Sequence, residues 1–473
     1  MHNYKLFKNN NKGGYMLEEI LKLCDKKEDI LNRTIECGSK KVSIVYCETL
    51  TDSSLIEKYI IKPLKNHKGN IKEEITSSHI KEIKGLDEAL TEIFHGSTII
   101  IIDNKELLSI ETKKNLDRSI EESSTEGTIS GPKDSFNENF NTNIGLIRKR
   151  IKNNNLNLET TTLGKESNTK VGILYMNNIV DKDLLKKVKE NLSKIKNDVI
   201  IDGSYIREEL SKKSLFPESN MTERPDEVTF SLLEGKVCIV TDNSPNVIII
   251  PTFFIDFFHN PEDYYQKNIN STFLRILRVL AFIMAIFLPG FYISITTHNP
   301  TSIPTNLLLS LIKQHEQVPF PAFFEILIMT IAFEILRESD IRSPSKVGSS
   351  SSILGGLILG EAAVSAGIIS PILIIIVAIS SISSFVFPYN SIVNQIRYYK
   401  LLILLLGTLL GLFGLFIGLV LLISNIASIT SFGYPYTYPF VPLVKKDLND
   451  SIVKIETGSK TRNPLLTKEM KRI

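Results

Sequence analysis

The chain has 473 residues, with 55 Lys or Arg, 52 Asp or Glu and a formal net charge of +3. That near-balance averages three compositions: residues 1–270 carry 39 basic and 42 acidic side chains, residues 271–444 carry only 14 charged ones, and residues 445–473 carry 8 basic and 4 acidic. The first part has no basic stripe, so nucleic-acid binding is not its expected role. The uncharged runs of the second part are too long for the core of an ordinary soluble protein.

Residues 1–38 are rich in Asn and Lys, lack an apolar leader core and read as a loosely ordered extension. The part that follows is therefore expected to stay on the cytoplasmic side. Cys24, Cys37, Cys47 and Cys238 form no C-x-x-C pair, and reduced thiols are expected.

An internal duplication comes next. KVSIVYCETLTDSSLIEKYIIKPL (41–64) matches KVGILYMNNIVDKDLLKKVKENLS (170–193) at an offset of 129. DEALTEIFHGSTIIIIDN (87–104) matches DEVTFSLLEGKVCIVTDN (226–243) at an offset of 139. Each copy predicts a strand, a helix capped by Asp52 or Asp181, a second helix, a strand, an Asp-Asn turn and a further strand. The expected fold is thus two α/β units, 39–110 and 166–265, joined by a polar segment at 111–165. The run Arg148, Lys149, Arg150, Lys152 in that segment reads as a solvated basic helix face, or alternatively as a contact for an anionic surface. There is no phosphate-binding loop, no dinucleotide motif, no metal-spaced His/Cys cluster and no nucleophile–base set in the sequence. No cofactor and no enzymatic activity are expected.

A helical, polytopic membrane domain is expected over 271–444, with hydrophobic segments near 276–297, 320–336, 347–370, 371–388 and 401–424. The uncharged runs 279–312 and 401–444 contain 34 and 44 residues, and 347–396 holds one charge in 50. Lys267, Arg275 and Arg278 put the start of the first segment on the cytoplasmic side, as do the basic loops 337–346 and 389–400. Five crossings would then leave the basic tail, 445–473, outside, against its charge. One element is therefore expected not to cross fully, either 320–336 or the Pro- and Tyr-rich stretch 432–444.

Three carboxylates stand in apolar surroundings: Glu325, Glu334 and Glu361. Glu361, near the middle of its segment, is the sharpest candidate for a pore- or pathway-lining group, the other reading being a buried, hydrogen-bonded carboxyl. Glu334 has Arg337 one helical turn on. Gly356, Gly360 and Gly367, and Gly407, Gly411, Gly414 and Gly418, allow close helix packing, within a subunit or between subunits.

Several stretches resemble one family. GPKDSFNENFNTNIGLIRKRIKNNNL (131–156), the run from Met221 to Tyr265, LPGFYISITTHNP (288–300), VPFPAFFEILIMTIAFEILRESDIR (318–342), SILGGLILGEAAVSAGIISP (352–371) and SFGYPYTYPFVPL (431–443) are similar to the A subunit of the nutrient germinant receptors of bacterial spores. The chain departs from the family's pattern at Ser130 and Lys133, at Ser345 and Lys346, and at Glu361, where Gln is common. The resemblance implies a non-enzymatic receptor subunit in the spore inner membrane. It implies a transporter-like B subunit and a lipoprotein C subunit as partners, and a homo-oligomer that forms a ligand-gated ion channel. A transporter, or a scaffold without a pore, are the competing readings.

Overall fold

The computed structural model describes residues 16–454 apart from 25–26, 39, 66–70, 78–79, 116–125, 127–128, 212–213, 317, 343–347, 445–447 and 449. The expected basic tail lies almost wholly outside the described residues. Among them the chain forms two compact units, one of residues 16–211 and 219–251 and the other of 214–218 and 252–454.

The first unit holds two five-stranded antiparallel sheets. In chain order the first copy is α1 (Met16–Leu23), β1 (Ile30–Cys37), β2 (Lys40–Cys47), α2 (Ser53–Ile56), a π-turn, α3 (Lys62–Lys65), α4 (Ile71–Glu74), β3 (Ile80–Ile83), α5 (Leu86–Phe94), β4 (Ser97–Ile102) and β5 (Glu106–Glu111). The second is α6 (Phe140–Arg150), β6 (Leu156–Leu163), β7 (Thr169–Met176), α7 (Lys182–Ser193), α8 (Gly203–Leu210), β8 (Asn220–Thr222), α9 (Pro225–Glu234), β9 (Val237–Thr241) and β10 (Val247–Ile250). The strand orders, β1-β2-β4-β5-β3 and β6-β7-β9-β10-β8, are the same. So is the central register: Val42 faces Ile102 and Ile44 faces Ile100, as Val171 faces Thr241 and Ile173 faces Ile239. The central strands are continuous apolar runs, buried on both faces.

The local chemistry repeats as well. Asp52 accepts the Ser54 N–H at 2.9 Å and Asp181 the Asp183 N–H at 3.0 Å, each opening a helix. Asp103 and Asn104 take positive φ between β4 and β5, and Asn243 does so between β9 and β10. The sequence reading missed two parts of each copy. Residues 16–38, expected to be loosely ordered, supply α1 and β1, and bury Ile20, Cys24 and Ile30. The segment 111–165, expected to be a polar joint, contains α6 and β6, which belong to the second copy's core through Ile144, Ile147 and Leu158.

A buried ion pair ties the copies together. Arg148 of α6 reaches Asp29, just before β1, through Nε and through Nη2 at 2.7 Å, and its guanidinium covers the Phe94 ring at 5.1 Å. Asp29 also accepts hydrogen bonds from Thr49 and Cys47, and Lys27 bridges Leu158 on the outer strand of the second sheet. Both charges are removed from water. This corrects the basic-face reading: Arg148 is interior and Arg150 chelates Asp134, which leaves Lys149 and Lys152 as the exposed members of the run.

The second unit is helical: α10 (Asn268–His298), α11 (Thr305–His315), α12 (Ala322–Arg342), α13 (Gly348–Ser365), α14 (Pro371–Ser384) and α15 (Asn390–Ser428), then a two-strand turn, β11 (Thr430–Ser431) and β12 (Tyr434–Pro435). α15 is not one rod. Gly411 has φ 61° and ψ −141°, a conformation closed to other residues. Beyond it the chain doubles back. A Cβ on Gly418 would stand 2.7 Å from the Ile403 side chain, and one on Gly414 would strike the Leu406 carbonyl. Fifteen residues of unbroken helix would separate Ile403 from Gly418 by about 22 Å. The two arms, 390–410 and 412–428, are therefore antiparallel.

α10 packs against this hairpin. A Cβ on Gly407 would lie 2.9 Å from the Gly290 carbonyl, and one on Gly411 2.9 Å from His298. The second glycine series is thus used inside one chain. Gly356 and Gly360 make only ordinary contacts, with Leu336 and Ile374, and Gly367, at positive φ, turns the chain before α14. The Pro- and Tyr-rich stretch is not helical: Tyr436 and Tyr438 are buried, and Phe216 packs between Tyr436 and Tyr399.

Removing one partner of the Arg148–Asp29 pair strands a buried charge. Asp29→Ala is expected to cost about 3–5 kcal/mol, read as a fall in the melting temperature of the full chain in detergent. The double change Arg148→Met with Asp29→Leu should recover most of that loss. An Asp29→Ala chain as stable as the wild type would refute the tie.

Candidate functional site

Glu325, in the first turn of α12, is a fully buried carboxylate of the helical unit. Its Oε1 faces His315 Nδ1 at 3.2 Å, and its Oε2 accepts the Ser370 N–H at 2.8 Å. The other ring nitrogen of His315, Nε2, meets the Tyr292 hydroxyl at 3.1 Å. Next to it Gln314 accepts the Ile372 N–H at 3.3 Å. Carboxylate, imidazole and phenol thus form one chain across α10, α11, α12 and the start of α14. With the carboxylate ionised, Nδ1 carries the proton toward it and Nε2 accepts from the phenol. The arrangement can hold a proton and pass it between helices.

The structure orders the sequence candidates differently. Glu361 is exposed on α13 and meets no polar partner among the described residues. Glu334 does not pair with Arg337: it faces Arg397 Nε at 2.7 Å and Lys400 Nζ at 3.8 Å, while Arg337 lies over the Phe385 ring at 4.9 Å. His315 and Tyr292 were missed. The only signal was the general one, that a carboxyl in an apolar helix needs a partner, and the partner is brought from another helix.

A second cluster sits at the start of α10. Asp263 takes two hydrogen bonds from Arg278, at 2.7 and 2.9 Å, and one from Arg275 at 3.2 Å. Arg275 continues to Asp450 at 3.0 Å, and Lys454 donates to the Asp263 carbonyl at 2.5 Å. Arg275 and Arg278, read from sequence as flanking charges, are in fact buried ion-pair partners. Burial alone would raise the Asp263 carboxyl, but the hydrogen bonds and charge of Arg278, with Arg275 beyond, hold it below the usual range. His259, 2.7 Å from the Ser451 carbonyl, is pushed down to about 4 by burial first and by Arg275 second.

The chain is thus an α/β protein with an attached apolar helical unit. Two stretches of that unit, Asn268–His298 and Ser391–Ser428, are long and apolar enough to cross a membrane by length and composition. It belongs to the Bacillus/Clostridium GerA spore germination protein family, whose pattern matches residues 18–466. It is 35% identical over 468 residues to spore germination protein KA of Bacillus subtilis (strain 168), covering 95% of this chain and 85% of that one. It is 33% identical over 464 residues to spore germination protein GerQA of Bacillus cereus, covering 96% and 93%. A membrane protein of Bacillus subtilis (strain 168), YfkQ, is 33% identical over 460 residues, covering 95% and 90%. The crystal structure of the N-terminal domain of the A subunit of the Bacillus megaterium spore germinant receptor GerK3 aligns at 26% identity with a TM-score of 0.39, covering 50% of this chain and 94% of that one.

The cluster at the start of α10 makes stability pH-dependent on the acid side. His259 refuses a proton that the unfolded chain accepts below its ordinary value of 6.5, so stability falls as pH drops from there toward about 4. Asp263, depressed in the folded state, adds a loss at lower pH still, as its folded value is passed. The melting temperature in detergent should fall between pH 7 and pH 5, and His259→Gln should flatten that fall. An equal slope in both proteins would show that His259 does not carry it.

Proposed function

We propose that this chain is the A-type subunit of a nutrient germinant receptor: a signal transducer in the spore inner membrane that acts with a transporter-like B subunit and a lipoprotein C subunit. Germinant binding elsewhere in the complex shifts a homo-oligomer of this chain from a closed to an ion-conducting state. Family membership supports the germination role. The Glu325–His315–Tyr292 chain carries the transducing role, because it fastens four helices through one buried charge. A shift of any of these helices has to break a bond in that chain, which gives discrete states rather than graded ones.

The hairpin in α15 supports a polytopic reading. With its two arms counted separately, the unit has six apolar helical segments, α10, α12, α13, α14 and the arms 390–410 and 412–428, of which α14, at 14 residues, is about 21 Å long. Six crossings would return the basic tail to the side where α10 begins, which would remove the conflict with the positive-inside rule. Neither 320–336 nor 432–444 has to be re-entrant. The exposed Glu361 supports the oligomer, since a carboxylate does not face hydrocarbon cheaply; a neighbouring copy or a water-filled path is the natural cover. Gly356 and Gly360, which are not packed tightly within the chain, lie on the same helix.

Two experiments test this reading. Spores lacking the gene should lose dipicolinate and potassium release to one class of nutrient in a panel of amino acids, sugars, nucleosides and bile salts. Complementation with Glu325→Ala should restore at least tenfold slower release, with Glu325→Gln intermediate. An unchanged response to the whole panel, or full rescue by Glu325→Ala, would remove the transducing role. Separately, a reporter fused after Ile473 should lie on the same side of the membrane as one fused before Met1. Opposite sides would sink the six-crossing reading.

A further inference from the structure

The helical unit contains a second polar site, away from Glu325, that neither the family nor the transducing role accounts for. Between the second half of α12 and the first arm of α15 lies a half-open pocket of about 290 Å³, lined by Thr330, Glu334, Asn394, Arg397, Tyr398 and Lys400 among others. Arg337, one turn beyond Glu334 on α12, is close enough to Arg397 and Lys400 for their charges to repel.

The charges here do not balance, and their hydrogen bonds are not complete. Arg337, Arg397 and Lys400 are cationic, and among the described residues Glu334 is the one carboxylate lining the pocket; Glu338, next to Arg337, is solvent-exposed. The Lys400 side chain is only 4% exposed, and its Nζ stands 3.8 Å from Glu334, beyond hydrogen-bond length. Arg397 Nε and Glu334 Oε2 are 2.7 Å apart, yet misaligned, so that neither atom completes a hydrogen bond. Arg337 Nη1 is likewise buried and unbonded. Buried guanidinium donors without acceptors cost free energy. A group with several anionic oxygens, entering between Arg397, Lys400 and Arg337, would satisfy them together.

The surroundings specify which anion. The basic residues lie at the edge of the uncharged run that starts at Leu401. The mouth is flanked by Tyr398 and Leu401, which are 61% and 42% exposed. An aromatic ring and apolar side chains beside a basic pocket suit a ligand that is charged at one end and hydrocarbon at the other. A free inorganic anion would have no use for that flank.

We propose that this pocket binds the phosphodiester headgroup of an anionic phospholipid, with Arg397 and Lys400 as the main ligands and Arg337 as the third cation. The proposal rests on the reading that this unit spans a membrane. The lipid would clamp α12 to α15 at the end opposite the Glu325 chain, so germinant signalling would depend on lipid composition.

The test uses the full chain in nanodiscs of phosphatidylcholine with phosphatidylglycerol from 0 to 30%, followed by native mass spectrometry of retained lipid. Phosphatidylglycerol should be kept in preference to phosphatidylcholine, and the double change Arg397→Gln with Lys400→Gln should cut its retention roughly tenfold. Arg397→Lys, which keeps the charge and guards against a folding artefact, should retain an intermediate amount. Inorganic phosphate at 10 mM should not displace the lipid. Equal retention of the two lipids by the wild type, or unchanged retention in the folded double variant, overturns the proposal. Displacement by phosphate overturns the lipid assignment. A chain that alkaline carbonate strips from membranes would remove the membrane reading and the proposal with it, whereas the other outcomes leave that reading intact.

Discussion

The reversal of the chain at Gly411 sets the form of the helical unit. A 39-residue helix would be about 58 Å long, roughly twice the hydrocarbon thickness of a bilayer. One residue with positive φ converts it into two arms of ordinary length. The close approach of Gly407 to Gly290 and the seating of His298 on Gly411 then fix those arms on α10. His298 also contacts the Thr408 carbonyl at 2.8 Å, one of the carbonyls left without a helical partner where the first arm ends. The return of the chain brings Tyr436 onto Phe216 and Phe254, and Asp450 onto Arg275. The place where the last residues dock is thus a consequence of one backbone angle almost four-fifths of the way through the unit.

Charge burial follows one rule in both units. Asp29, Asp263 and Glu325 are each withdrawn from water, and each is met by more than one donor. Such pairs add little net stability compared with apolar residues of the same volume, but breaking one by losing a partner is expensive. They therefore fix which segments come together more than how tightly. Asp29 joins the two sheet copies, Asp263 joins the start of α10 to the last described residues, and Glu325 joins four helices. The partners come from separate elements, at very different distances along the chain: Arg148 lies 119 residues from Asp29 and Asp450 lies 175 from Arg275, whereas Arg278 lies 15 from Asp263 and His315 lies 10 from Glu325.

That distance also marks what was legible in the sequence. The strands, caps and turns of the duplication could be read because they rest on short-range chemistry: Asp52 and Asp181 cap the helix that follows them, and Asp103–Asn104 turns the adjacent strands. β1 and β6 were missed because their sequences alternate with many polar residues, as outer strands do, and only pairing with β2 and β7 reveals them. Arg148 looked like one member of a basic run. Nothing local distinguishes it from Lys149, and its counter-charge lies 119 residues earlier. Glu361 outranked Glu325 because its flanks are more apolar, yet burial depends on the facing helices. The hairpin in α15 was hidden for the opposite reason: Gly411 is one of four glycines at regular spacing, a pattern that fits close packing as well as a break.

The clusters at the two ends of α10 have different consequences. Arg278 and Tyr292 are fourteen residues apart, about 21 Å along a continuous helix. Arg278 grips Asp263 at one end, and Tyr292 holds His315 at the other. The first grip is a bidentate charge pair with no proton to exchange near neutral pH. The second contains an imidazole whose neutral form donates to a carboxylate and accepts from a phenol. Protonating that ring turns its acceptor nitrogen into a donor, so the phenol has to reorient while the bond to Glu325 strengthens. α10 is therefore held by a charge pair where it begins and, toward its end, by the Tyr292 hydrogen bond beside the contacts of Gly290 and His298 with the hairpin.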